Sequence, residues 1–156
     1  MSRIDHFEDP AAPKANSLVP AASAIVVDTH GRILLQRRAD TGQWSIPGGA
    51  MELGESIAET VQREVREETG LEVIAEKVTG VYSNPRHVVE FSDGEVRQQF
   101  SVCFLCTVTG GRLQAEGEST EVEFVAPGDL PQRDIHPSIR LRIQDYLEGG
   151  PDAAIR

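Results

Sequence analysis

"SIAETVQREVREETG", residues 56–70, is the stretch on which the fold of this chain turns. Ser56 followed by Glu59 has the spacing of a capping box, a reciprocal pair of hydrogen bonds that opens a helix. Ile57, Val61 and Val65 recur every four residues and make one apolar stripe. Gly70 suits the left-handed residue that stops a helix. The spacing therefore predicts a helix over residues 56–69. At about 100° per residue, Glu64, Glu67 and Glu68 fall within an arc of roughly 100°, largely apart from that stripe. Like charges so spaced repel by a few tenths of a kcal/mol each. A bound cation would remove that cost, and hard carboxylate oxygens suit Mg²⁺ or Mn²⁺, which keep several waters and bridge to phosphates. For residues 63–70 taken alone, a solvated, salt-bridged face is the plain alternative.

The residues upstream decide between the two. "PGGAMELGE", residues 47–55, is glycine-rich and lets a loop lie close to the acidic face, adding Glu52 or backbone carbonyls. Counting from Gly49, five residues lead to Glu55, and seven more lead to Arg63-Glu64-Val65, Arg66, Glu67-Glu68, Thr69 and Gly70-Leu71. This run resembles the Nudix box at every fixed position. The resemblance implies an α/β fold, an α/β/α sandwich with a mixed β-sheet between helices. It also implies hydrolysis of nucleoside diphosphates linked to another moiety. Glu64, Glu67 and Glu68 would then hold divalent cations, with backbone at Gly48 and Gly49 as a further ligand. Arg63 would pair with Glu55 and hold the loop on the helix, completing a catalytic set with Glu67 and Glu68. Some members of the family place another glutamate in a loop before the last strand. "AEGESTEVEFV" offers Glu118 and Glu121, and Glu118, further out in the loop, ranks first as general base.

Around this centre the pattern is mostly β. "LVPAASAIVVD" and "ILLQRR" read as two strands joined by the turn "THGR", a hairpin. "WSIPGG" is a short strand, and "LEVIAEKVTGVYS" is one strand or two. "HVVEF" and "VRQQFSVCFLCTV" flank the hairpin signal "SDG", and "TEVEFVA" is the last strand. Asp134 to Leu147 reads as a closing helix. Residues 1–17 read as an irregular arm, residues 18–148 as the hydrolase domain, and residues 149–156 as a flexible tail.

Substrate contacts are less legible. Trp44 stands a few residues before the box, where an aromatic ring would stack on a base or sit in the core. Arg37 and Arg38 point to opposite strand faces, so at most one reaches the site, and Arg37 is the candidate. Arg86 and His87 follow Pro85 in an expected loop that would meet a phosphate or ribose, and Arg97 is a further candidate. His136, before Pro137, reads as a helix-start residue. Cys103 and Cys106 lie on opposite faces of a strand by their spacing, and without a second ligand pair they read as packing thiols.

The chain has 156 residues and a net charge of −10. Such acidity disfavours a nucleic-acid partner. No apolar run reaches the roughly 20 residues of a membrane span, and no apolar signal core follows the first residues. With reduced thiols, these features point to a cytoplasmic protein. The expectation is a Mg²⁺- or Mn²⁺-dependent enzyme acting on a nucleotide-derived small molecule, ADP-ribose-like compounds first. The resemblance and the arm also suggest a homodimer. The alternatives are pyrophosphate removal from (d)NTPs, including oxidised ones, and a nucleotide-sensing module without catalysis.

Overall fold

The computed structural model describes residues 3–156. Its centre is the expected helix, α1, Ile57–Thr69. Ser56 accepts from the Glu59 N–H and Glu59 accepts from the Ser56 N–H, so both halves of the capping box are made. Gly70 closes the helix with φ 75°. Two further segments of the sequence reading hold: β7, His87–Phe91, and β8, Val96–Gly111, form the hairpin around "SDG".

The remaining strands are β1 (Arg3–Phe7), β2 (Ser17–Val26), β3 (Ile33–Arg38), β4 (Trp44–Ser45), β5 (Gly48–Ala50), β6 (Leu71–Tyr82), β9 (Ser119–Val125) and β10 (Ala154–Ile155). One sheet has the order β1-β7-β8-β2-β5, with β6 also paired to β8 and β10 paired to β6. It is mixed, because β2 runs parallel to β8 and β6 antiparallel to it. The second sheet is β4-β3-β9. A 3₁₀ turn, Pro127–Gln132, leads to α2, Pro137–Glu148.

Both sheets together form the middle layer. Ala24 and Val26 of the first sheet and Leu34 of the second pack with Val61 and Val65 of α1. Ile25, Ile33 and Leu35, their neighbours in sequence, pack with Ile143 of α2. Alternation along each strand thus feeds two cores, one beneath each helix. Cys103 belongs to one core and Cys106 to the other, as their spacing requires. Burial pushes the Cys106 thiol up to about 12, which leaves it unreactive.

Several readings are corrected. The chain does reverse at "THGR", but β2 and β3 share only the Val27–Ile33 bridge and then enter different sheets. Each is already flanked: β2 by β8 and β5, β3 by β4 and β9. "WSIPGG" is likewise divided between the sheets at Ile46-Pro47. The closing helix begins at Pro137, not Asp134, with His136 as its N-cap. The arm is not irregular throughout, since β1 pairs antiparallel with β7 from Arg3↔Phe91 to Phe7↔His87. Residues 1 and 2 of the arm lie outside the described residues. The tail is docked as β10 on β6, and Arg156 forms an ion pair with Asp145 at 2.8 Å. Both termini have polar sequences, and their order comes from distant edge strands that accept them.

Candidate active site

The acidic face of α1 lies against β5 and the loop that follows it. Arg63 is the hub. Its Nε donates to Glu55 Oε2 at 2.5 Å and its Nη2 to Glu55 Oε1 at 3.1 Å, so the pair implied by the resemblance is made at two points. Nη2 also reaches the Ala50 carbonyl at 3.0 Å, so one guanidinium ties β5, the loop and the helix together. The same group donates through Nη1 to Glu64 at 2.8 Å and Glu67 at 3.2 Å. Glu55 is further held by the Glu52 N–H and the Thr60 hydroxyl. The Arg63 hydrogen bond, before these, brings its carboxyl down to about 2.

Glu68 faces inward, and its Oε2 accepts from the Gly48 N–H at 3.1 Å. Burial first, then the charge of Glu64, push its carboxyl up to about 8. Glu64 is raised as well, chiefly by burial. Two glycines make room for this arrangement. A Cβ on Gly49 would sit 2.5 Å from the Glu64 carboxylate, and one on Gly48 would fall onto the Ala22 carbonyl oxygen. Backbone and carboxylates can meet here only without side chains at 48 and 49.

Among the described residues, no three His, Cys, Asp or Glu side chains form a ready-made metal cluster. Glu64 and Glu67 are turned to Arg63, and Glu68 to Gly48. The donor set nonetheless suits a hard cation: all oxygen, half-buried, and carrying negative charges that raise one another's pKa. Arg63 satisfies part of that demand, and a divalent cation would satisfy the rest.

Gly48 and Gly49 also line a cleft of about 700 Å³, including its open mouth. Of the expected substrate contacts, Trp44 lines this cleft. Its ring is only 9% exposed and carries the Arg133 guanidinium 4.8 Å from its centroid, so it is a core residue forming a wall. Arg37 is not in the cleft; it is exposed and paired with Glu121 at 3.3 Å. Arg38, on the other strand face, lines the cleft instead. Arg86 also lies elsewhere, 77% exposed beside Glu8. Arg97 forms a bidentate pair with Glu95 over the Phe91 ring and does not line the cleft. His87 begins β7, is buried, and does line it.

Glu118 is exposed, in a loop laid along the C-terminal end of α1. Backbone N–H groups of Arg112, Gln114 and Glu116 donate to the carbonyls of Gly70, Thr69 and Glu68. The Glu118 carbonyl in turn accepts from the Ala39 N–H. Glu121, by contrast, is engaged with Arg37.

The sequence reading missed the polar floor of the cleft. Arg3 and Asp5 arrive from β1, Ser23 from β2, Ser101 from β8 and Arg142 from α2. Arg142 carried a faint signal, being a charge at i+3 from Ile139 on the apolar face of its helix. Arg3 and Asp5 carried none, because their placement depends on a strand partner more than 80 residues away.

The model of the NUDIX domain matches residues 17–146. The chain is 34% identical over 145 residues to a MutT-like protein of Streptomyces ambofaciens, covering 92% of this chain and 86% of that protein. It is 35% identical over 127 residues to an ADP-ribose pyrophosphatase of Methanocaldococcus jannaschii, covering 78% and 69% respectively. A nucleoside triphosphatase NudI of Escherichia fergusonii is 29% identical over 123 residues, covering 74% and 87%. Among solved structures, a NUDIX hydrolase from Nitrosomonas europaea superposes with a TM-score of 0.72 at 23% identity, covering 90% of this chain and 80% of that one.

Proposed function

This chain belongs to the NUDIX domain family, and from that premise we propose that it is a divalent-cation-dependent hydrolase of a diphosphate bond in a nucleotide derivative. The observation that carries the reading is the set of three glutamates on one face of α1, Glu64 and Glu67 clamped through Arg63 to Glu55 and Glu68 held by the Gly48 N–H, beside the cleft that Gly48 and Gly49 line. A sensing module would have no need of that whole set. Glu64, Glu67 and Glu68 would hold Mg²⁺ or Mn²⁺, with backbone at Gly48. When bound, the cation neutralises the diphosphate oxygens and acidifies an attacking water. Arg63 and Glu55 position the loop, and neither needs to touch substrate. Glu118 is the assigned general base, a carboxylate near the helix end that is free to orient water and accept its proton.

ADP-ribose-like compounds are the first substrates to test, supported by the relative from Methanocaldococcus jannaschii. Reaction of ADP-ribose with Mg²⁺ in ¹⁸O-water should give AMP and ribose 5-phosphate, with one label on a phosphate. The relative named as a nucleoside triphosphatase favours a second reading, in which (d)NTPs are turned over with release of pyrophosphate. Absence of turnover on either class with Mg²⁺ or Mn²⁺ would overturn the enzymatic reading. The free, buried thiols of Cys103 and Cys106 support a reducing, cytoplasmic location.

A further inference from the structure

The polar floor of the cleft holds cationic side chains that the box chemistry does not use. Arg142 is only 6% exposed. Its Nη1 donates to the hydroxyls of Ser23 at 3.2 Å and Ser101 at 3.4 Å, and its guanidinium lies 5.1 Å from the Tyr82 ring centroid. None of these partners carries a negative charge. Its Nε is buried without a hydrogen-bond partner among the described residues. Arg3, from β1, also has a buried, unpartnered Nε, and it lines the same cleft. Asp5, the carboxylate of this floor, already accepts from Arg3 at 2.8 Å and from His87 at 3.3 Å.

A buried guanidinium is destabilising unless it is paired, and orphaned donors add to that cost. Two permanent cations facing one committed carboxylate leave a local positive surplus, within a chain of net charge −10. Planar guanidinium donors match the oxygens of phosphate and carboxylate. We propose that Arg142 and Arg3 form an oxyanion subsite on the α2 side of the cleft, separate from the glutamates of α1, which holds a phosphate or carboxylate on the substrate moiety lying in the cleft. The subsite rests on the nucleotide-hydrolase reading only for what delivers that oxyanion.

Trp44 is the only tryptophan and forms a wall of the cleft, so its fluorescence reports occupancy. Inorganic phosphate and acetate are titrated separately in chelator, at constant ionic strength. A saturable change is expected, weakened by at least about tenfold in Arg142→Met, partly restored in Arg142→Lys, and weakened in Arg3→Gln. The more tightly bound probe identifies the substrate group, phosphate or carboxylate. Absence of saturation with both probes, or equal affinity in Arg3→Gln and wild type, would overturn the subsite. Arg3→Gln, on an edge strand, decides the matter if Arg142→Met does not fold. Because metal is absent, failure here leaves metal-dependent hydrolysis untouched, and loss of hydrolysis in glutamate variants leaves this titration untouched.

Discussion

Glu68 is a side chain costly to the fold, and the proposed function gives it a cation to hold. It is held inward by the Gly48 N–H, and burial with the Glu64 charge brings its pKa to about 8. A carboxyl raised above its ordinary value of 4.5 costs stability progressively as pH climbs from there to about 8. In chelator, Glu68→Gln should therefore match or exceed the wild-type Tm at pH 8, with the gain fading towards pH 5. With Mg²⁺ supplied, Glu67→Gln and Glu68→Gln should each lose turnover by about 100-fold or more, the scale of one strong electrostatic stabiliser. Full activity in chelator or in the double variant would remove the metal mechanism. Glu118→Gln should lower kcat with little change in the Mg²⁺ titration, whereas a variant of a box glutamate should change both. Wild-type kcat in Glu118→Gln would return the base role to α1.

Among the elements, α1 and the loop before it act as one unit through Arg63. Glu55→Gln and Arg63→Ala should each reduce activity, and their combined effect should fall short of the sum, because both remove the same pairing. Strict additivity in the double-mutant cycle would refute the clamp. The strand β1 makes a different prediction. Burial raises the Asp5 carboxyl, but the His87 hydrogen bond and the charge of Arg3 outweigh it and hold the group well below the usual carboxylate range. A depressed carboxyl contributes stability above its unfolded pKa near 3.8 and loses it as pH falls through the folded value. Asp5→Asn should thus lower Tm at pH 7, and the difference from wild type should shrink as pH drops below about 4. A difference independent of pH would show that Asp5 acts by packing alone. The helix was legible because its capping box, apolar stripe and glycine stop are all local. The strand was not, because β1 is defined by β7, on which it pairs from Arg3↔Phe91 to Phe7↔His87.

At the scale of the whole molecule, net charge −10 surrounds a cleft that the proposed function would fill with an anion. Long-range repulsion slows encounter and salt screens it. At fixed free Mg²⁺, kcat/KM for a nucleotide substrate should rise about twofold as ionic strength increases from low to physiological. A steep fall would mean that the local cations Arg3, Arg38 and Arg142 dominate encounter. The sequence by itself determined α1, the acidic face and the hairpin of β7 and β8, since each rests on residues within a few turns or one reversal of the chain, while the Arg63–Glu55 pairing was legible only through the resemblance of the box. The sandwich was legible only through the box, by resemblance. Tertiary structure alone decided that β2 and β3 part into different sheets, that Arg38 rather than Arg37 enters the cleft, that the two ends are strands, and that Arg142 meets Ser23 and Ser101. The physical reason is that edge pairing and burial are satisfied by partners far along the chain, and no local pattern records which edge stands free to receive them.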